Sequence, residues 1–215
     1  KPMLAKDWKK VKKITFPMFV QPKYNGVRCL CMLIDGGITF LSREGKPYTT
    51  LYHLEQELRP LFEQYPDIIL DGEIYIHNTP LQDIVSYVKA FQLSSPLLEY
   101  HIYDLAIEGT QEERNYNLIK LEIFSSSKIR FANCVSISSK EQVLAFHNIH
   151  IEAGYEGSML RDPKGKYGFG QRSSSLLKVK EFMEEEFEIV GGSSGRGKFD
   201  GCCIFKCKTE EGKLF

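Results

Sequence analysis

Long apolar runs are missing from this sequence: no stretch of its 215 residues approaches the length of a membrane-spanning helix. Net charge is missing too, since 28 Lys plus Arg stand against 28 Asp plus Glu. A nucleic-acid binder is often more basic, but a basic groove offset by acid elsewhere stays open. Cys-x-x-Cys pairs are absent among Cys29, Cys31, Cys134, Cys202, Cys203 and Cys207, which argues against zinc. All six read as reduced, mostly buried thiols of a reducing compartment. The opening stretch KPMLAKDWKK is charged and lacks the apolar core of a signal peptide. Internal repeats and low-complexity linkers are also lacking. What remains is ordinary globular composition, 42% hydrophobic and 26% charged. The length suits one domain, or a domain plus part of another.

Strand and helix signals alternate along the chain. RCLCMLI and ITFLSR flank Asp35-Gly36-Gly37, a hairpin signal. YHLEQELRPLFEQY has helical spacing, with Pro60 expected to kink or split it. DIILDGEIYI reads as a strand, LQDIVSYVKAF as a helix, EYHIYDLAI as a strand, YNLIKLEIF as a helix and RFANCVSI as a strand. Ser138 with Glu141 suggests a capping box for a helix ending near Ala153, where Gly154 can stop it. GSMLR, LLKVKEF, FEIVGG and GCCIFKCK follow as strands. The pattern is α+β with much antiparallel sheet, not a regular βαβ repeat. GSSGRGKF nearly fits a phosphate-binding loop, but Phe199 has no hydroxyl for Mg²⁺ and the next stretch reads as a strand, not a helix. It reads as a Gly-rich hairpin loop.

The chemistry-bearing residues form an ordered series. Lys23 sits in QPKYNGVR, two residues after Gln21 and five before Arg28. Arg43 lies at a strand end in LSRE. Asp71 and Glu73 share one face of a strand in LDGEIY. Tyr103 precedes Asp104 in HIYDL, and Glu156 opens a strand in YEGSMLRD, with Arg161 beyond. Arg172 lies in GQRSS, and Lys178 and Lys180 alternate onto one strand face in SLLKVKEF. Each alone reads equally as a surface charge, a turn acid or a core tyrosine.

As a set, in this order, they resemble the nucleotidyltransferase superfamily of ATP-dependent DNA ligases, RNA ligases and mRNA-capping enzymes. KPMLAK, FVQPKYNGVR, YEGSMLRDPKGKYGFGQRSSSLLKVKEF and EEFEIVGG resemble the ATP-dependent DNA ligase branch over nearly the whole chain. One position departs. The family pattern is K-x-D-G-x-R, and Asn25 replaces its aspartate, as in some ligases of large DNA viruses. The few residues before Lys23 leave little room for the extra module of NAD⁺-dependent ligases.

The resemblance implies an adenylation domain, ATP-grasp-like, of antiparallel sheets flanked by helices over residues 1–181. Residues 182–215 would begin an oligonucleotide-binding barrel, left incomplete, so that the chain reads as part of a longer protein. It implies Lys23 as the nucleophile that carries AMP from ATP, with Lys178, Lys180 and Glu156 as its catalytic companions. Gln21, Arg28, Arg43, Glu73, Tyr103 and Lys178 would bind the nucleotide, Tyr103 by stacking on adenine. Glu73 and Glu156 would place Mg²⁺. Arg43 and Arg172 would meet DNA phosphate. A lysine amine, with an ordinary pKa of about 10.4, needs a cationic or apolar setting to attack phosphorus at neutral pH. Arg28, Lys178, Lys180 and Mg²⁺ are the expected source. The implied partner is nicked double-stranded DNA, bound by a monomer without a membrane. Work in replication, repair or recombination follows, in the cytoplasm, the nucleus or a viral replication site, not outside the cell. The alternatives are an RNA ligase, a capping nucleotidyltransferase, or a degenerate nucleic-acid-binding domain.

Overall fold

In the computed structural model of the protein, residues 1–132, 134–180 and 186–215 are described, the side chain of Lys198 apart. They fall into two compact units, Lys1–Lys180 and Glu181–Phe215.

The first unit begins with strand β1, Leu4–Asp7, and a one-turn 3₁₀ helix at Trp8–Lys10. Strand β2, Met18–Lys23, ends on the lysine of interest. Strands β3, Val27–Ile34, and β4, Gly37–Ser42, form the expected hairpin. Asp35 and Gly36 have φ of 51° and 79°, the sign that a two-residue hairpin turn demands. Helix α1 runs unbroken over Tyr52–Gln64 with Pro60 inside it, so the expected split does not occur. An interior proline costs about 3 kcal/mol, whereas Leu54, Leu58, Leu61 and Phe62 are all buried. At about 1.5–3 kcal/mol each, that apolar stripe outweighs the proline.

Strand β5 is Leu70–Tyr75, helix α2 Leu81–Lys89 and strand β6 Glu99–Leu105. Helix α3, Gln111–Lys120, starts earlier than YNLIKLEIF suggests, because Thr110 and Glu113 form a capping box. Its expected end, Leu121–Phe124, is a 3₁₀ turn. RFANCVSI is not one strand. It divides into β7, Ile129–Phe131, and β8, Val135–Ile137, with Asn133 outside the described residues. The halves join different sheets: β7 runs parallel to β6 and β8 antiparallel to β2. Helix α4, Lys140–Glu152, is capped by Ser139 rather than Ser138. The Gln142 side chain turns back to accept from the Ser138 amide at 2.7 Å. Gly154 follows with φ 83°. Strands β9, Gly157–Arg161, and β10, Arg172–Val179, complete the unit.

Two five-stranded sheets result, in the orders β1-β10-β9-β2-β8 and β4-β3-β5-β6-β7. The larger core lies against the second sheet under α1 and α2. The smaller one joins Met18, Val20, Val143, Leu160 and Leu177. In the second unit, strands β11, Glu188–Ser194, and β12, Cys203–Lys208, pair antiparallel. GSSGRGKF falls across the end of β11 and a 3₁₀ turn at Gly197–Phe199, with no helix to receive phosphate. Of the six cysteines only Cys29 and Cys31 are buried; Cys202 and Cys203 are exposed. The expectation of mostly buried thiols fails because, among the described residues of the second unit, β11 and β12 form a two-stranded sheet whose residues are mostly exposed.

A buried polar network joins the two sheets. Asp104 on β6 is 1% exposed and receives Arg114 Nε at 2.9 Å and Arg161 Nη1 at 2.6 Å. Gln111 Oε1 accepts from Arg114 Nη2 at 2.7 Å and Arg161 Nη1 at 3.0 Å. Arg161 Nε donates to Gln21 Oε1 at 2.6 Å. Gln21 Nε2 in turn donates to the Tyr103 and Ala132 carbonyls at 3.1 and 2.8 Å. Removing one partner of such a buried ion pair leaves uncompensated charge. Asp104→Ala should therefore lower the free energy of unfolding in urea by about 3–5 kcal/mol, with two guanidiniums left facing each other. A loss under about 1 kcal/mol, the usual worth of a surface pair, would mean the network is not a structural tie.

Candidate active site

A cavity of about 290 Å³ opens between the ends of the two sheets. Its wall includes Lys23 from β2, Arg28 from β3, Glu73 from β5, Tyr103 from β6, Met159 from β9 and Lys178 from β10. Arg43 and Arg172 also border it, as does Gln21. The sequence series thus converges from at least six strands onto one small-molecule-sized space.

Close packing fixes Lys23. A Cβ on Gly26 would lie 2.4 Å from the Ile74 carbonyl oxygen, so only glycine lets the turn after Lys23 press against β5. Tyr24 is 8% exposed and meets Tyr75, Tyr155 and His101 with ring centroids 4.8–5.4 Å apart. The Glu156 amide donates to the Lys23 carbonyl at 3.0 Å. Gly157 has φ 150°, and a Cβ there would lie 2.3 Å from the Val179 carbonyl oxygen. These contacts bring the Glu156 carboxylate onto the Lys23 amine, with which it forms an ion pair. Lys180 Nζ approaches the other oxygen of Glu156 at 3.7 Å.

β10 ends at Val179, so Lys180 sits one residue past the strand that was expected to carry both lysines. Leaving the strand before Lys180 separates their work. Lys178 faces the cavity and Lys180 faces Glu156.

Glu73 accepts from the Tyr103 hydroxyl at 3.1 Å. Desolvation pushes its carboxyl up to about 7, against the lowering influence of Arg28 and Lys23. Tyr103 is largely buried, with the Arg28 and Arg161 guanidinium carbons 5.1 and 5.5 Å from its ring centroid.

Two of the expected site residues are also engaged by groups of the protein itself. Arg28 is not a free source of positive field: its Nε and Nη2 hold Asp71 at 2.6 and 2.5 Å, and that carboxylate is buried. Gln21 reaches the cavity wall, and its side-chain oxygen and nitrogen are engaged by Arg161, Tyr103 and Ala132. Arg43 and Arg172 are exposed at the rim. Arg172 donates to the Ala5 carbonyl. Among the described residues neither has an acidic partner within 4 Å.

Sequence reasoning missed Tyr24 and Tyr167. Tyr167 donates to Asp71 at 2.6 Å and accepts from the Met3 amide at 3.3 Å, closing the clamp on Arg28. Tyr24 adjoins Lys23 and could have been flagged by that adjacency; Tyr167 carries no local signal. Among the described residues no group of three or more His, Cys, Asp or Glu side chains is placed to hold a metal. Glu73 and Glu156 still suit a hard cation of the Mg²⁺ kind, which takes one or two carboxylates and fills its other positions with phosphate and water.

Residues 2–180 match the family model described as "ATP dependent DNA ligase domain". The chain is 30% identical to the DNA ligase of African swine fever virus (isolate Pig/Kenya/KEN-50/1950), in an alignment covering 100% of this chain and 55% of that protein. With the DNA ligase of Archaeoglobus fulgidus it shares 28% identity over 83% of this chain and 35% of the relative. The chain therefore spans about half the length, or less, of these curated relatives. In fold it resembles a solved Lig E DNA ligase, with a TM-score of 0.77 at 22% identity, covering 100% of this chain and 82% of the other. It also resembles the Chlorella virus DNA ligase-adenylate, with a TM-score of 0.67 at 24% identity, covering 100% and 80%. On the family match over most of its length, the chain belongs to the ATP-dependent DNA ligase domain family.

Proposed function

We propose that this chain catalyses ATP-dependent sealing of nicks in duplex DNA through a covalent AMP on Lys23. The observation that supports it most directly is the convergence of Lys23, Lys178, Glu73, Tyr103, Arg43 and Arg172 on one cavity. In the first step the Lys23 amine, having given up a proton, attacks the α-phosphorus of ATP and pyrophosphate leaves with its bonding pair. A 5′-phosphate oxygen at the nick then attacks the same phosphorus, and the N–P bond breaks. Last, the 3′-hydroxyl attacks the activated 5′-phosphorus, expelling AMP and closing the backbone.

Each residue has a role suited to its setting. Glu156 holds the Lys23 amine in place and is the nearest base for its proton. Lys178 faces the cavity and would stabilise charge on the α-phosphate oxygens. Tyr103 would bound the adenine, with its hydroxyl fixed on Glu73. Rim residues Arg43 and Arg172 would take DNA phosphate. Glu73 and Glu156 would hold Mg²⁺, which supplies charge neutralisation of the phosphates when bound. Asn25 is exposed in the turn after Lys23, and Lys23 is held by the packing at Gly26 and by Glu156 with an amide at this position.

Three outcomes follow. Lys23→Ala should form no acid-labile protein–AMP adduct from α-labelled ATP, while its melting temperature stays close to that of the unsubstituted chain; a retained adduct would sink the assignment. Glu156→Gln keeps the size of the side chain and removes its charge. It should slow adduct formation by on the order of 10²–10⁴, the usual contribution of a placed base, with single-turnover labelling at saturating ATP as the measure; near-normal rates would make the carboxylate structural.

Glu73 generates a pH dependence. Its carboxyl titrates near 7 in the folded chain and near 4.5 when unfolded. Between those values the folded state binds more protons, so stability falls as pH rises through the window. Glu73→Gln should flatten that fall in metal-free urea titrations from pH 5 to pH 8. An unchanged pH profile would place the titration elsewhere.

A further inference from the structure

The segment KDWKKVKK holds five lysines in eight residues, Lys6 to Lys13, against one aspartate. Nothing in the adenylation chemistry uses it. Its backbone is nevertheless held firmly. Trp8, Val11, Ile14 and Phe16 turn inward and pack on the smaller core, and Asp7 accepts from the Lys9 amide at 2.9 Å, capping the 3₁₀ turn. With the apolar residues fixed inside, Lys10, Lys12 and Lys13 are exposed. Lys140, the first residue of α4, arrives beside them from another part of the chain, its Nζ 5.7 Å from the Trp8 ring centroid. Lys12 and Lys140 line one shallow groove of about 300 Å³ with Trp8, Val11 and Ile14. Lys13 borders the neighbouring groove with Thr15, Ser174 and Ser175. Asp162, the acid there, already accepts from the Lys164 amide. Among the described residues none of Lys10, Lys12, Lys13 and Lys140 has an acidic partner within 4 Å.

The position matters as much as the charge. β1 leads from the active-site cavity to this surface: Ala5 borders the cavity and carries Arg172, and Trp8 follows three residues later, about 10 Å further at strand rise. Leu177 in the Lys13 groove and Lys178 on the cavity are neighbours on β10, so the lysines lie close to the cavity but on the opposite face of the first sheet. We propose that Lys10, Lys12, Lys13 and Lys140 form a second docking surface, separate from the catalytic cavity, for the phosphate backbone of duplex DNA beside the nick. This rests on the ligase reading above. The surface carries no base-reading pattern, so it contributes affinity without sequence preference.

Lysines beside an edge strand such as β1 also guard against aggregation, and salt dependence separates the two roles. Each phosphate contact adds about 0.9 to the slope of log affinity against log salt. The experiment compares the full chain with a Lys10, Lys12, Lys13, Lys140→Ala quadruple variant and its Lys→Arg counterpart. Affinity for a nicked duplex is measured by fluorescence anisotropy from 0.05 to 0.3 M salt, and protein–AMP formation from ATP is measured without DNA. The alanine variant should bind at least roughly tenfold more weakly at low salt, with a slope shallower by about 3.6. Its protein–AMP formation should be unchanged, and the arginine variant should bind like the unsubstituted chain. Equal affinity and slope in the alanine variant, with or without aggregation, would overturn the docking surface and leave the ligase reading standing. Absence of duplex binding by the unsubstituted chain would overturn both.

Discussion

One buried carboxylate holds this fold in register. Asp104 sits on the second sheet and receives guanidinium groups from α3 and from β9 of the first sheet, all three side chains 3% exposed or less. Two cations against one anion would be costly out of water unless every donor were used. Gln111 and Gln21 supply the missing acceptors. The consequence reaches the active site, because Gln21 lies two residues before Lys23 and bonds the carbonyl of Tyr103. The strand that presents the lysine and the strand that presents the aromatic therefore share a single polar anchor.

Around that anchor, shape rather than charge sets the finer geometry. Gly26 and Gly157 stand where a Cβ would strike a carbonyl oxygen, at 2.4 and 2.3 Å. Each close approach delivers one member of the Lys23–Glu156 pair. Tyr24 fills the space behind them with aromatic contacts to Tyr75 and Tyr103 of the second sheet and to Tyr155, just before β9. The electrostatics then divide the cations. Arg28 and Arg161 are committed to buried acids, while Lys178, Arg43 and Arg172 face the cavity or its rim. Glu73 is pushed up to about 7 by desolvation, against the lowering influence of Arg28 and Lys23.

Zero net charge conceals a strong local asymmetry. The balance of 28 against 28 holds over the chain, yet Lys6 to Lys13 concentrates positive charge on one edge of the first sheet. Long-range attraction of phosphate depends on such local fields, screened over about 10 Å at 0.1 M salt, and not on the total.

The sequence by itself determined which chemistry is present. Lys23, Glu73, Tyr103, Glu156 and the Lys178–Lys180 alternation are legible because strands alternate and because their order along the chain is distinctive. It also fixed local elements whose signals are short-range, such as the Asp35-Gly36 turn, whereas the burial that carries α1 through Pro60 came from the packed core. Only the tertiary structure decided where RFANCVSI divides, since two sheets compete for its halves. It alone decided that Arg28 meets Asp71, that Gln21 meets Arg161, and that Tyr167 closes on Asp71 across 96 residues of chain. Those outcomes depend on which buried partner each polar group finds, and burial is a property of the packed sheets, not of the residues taken in order.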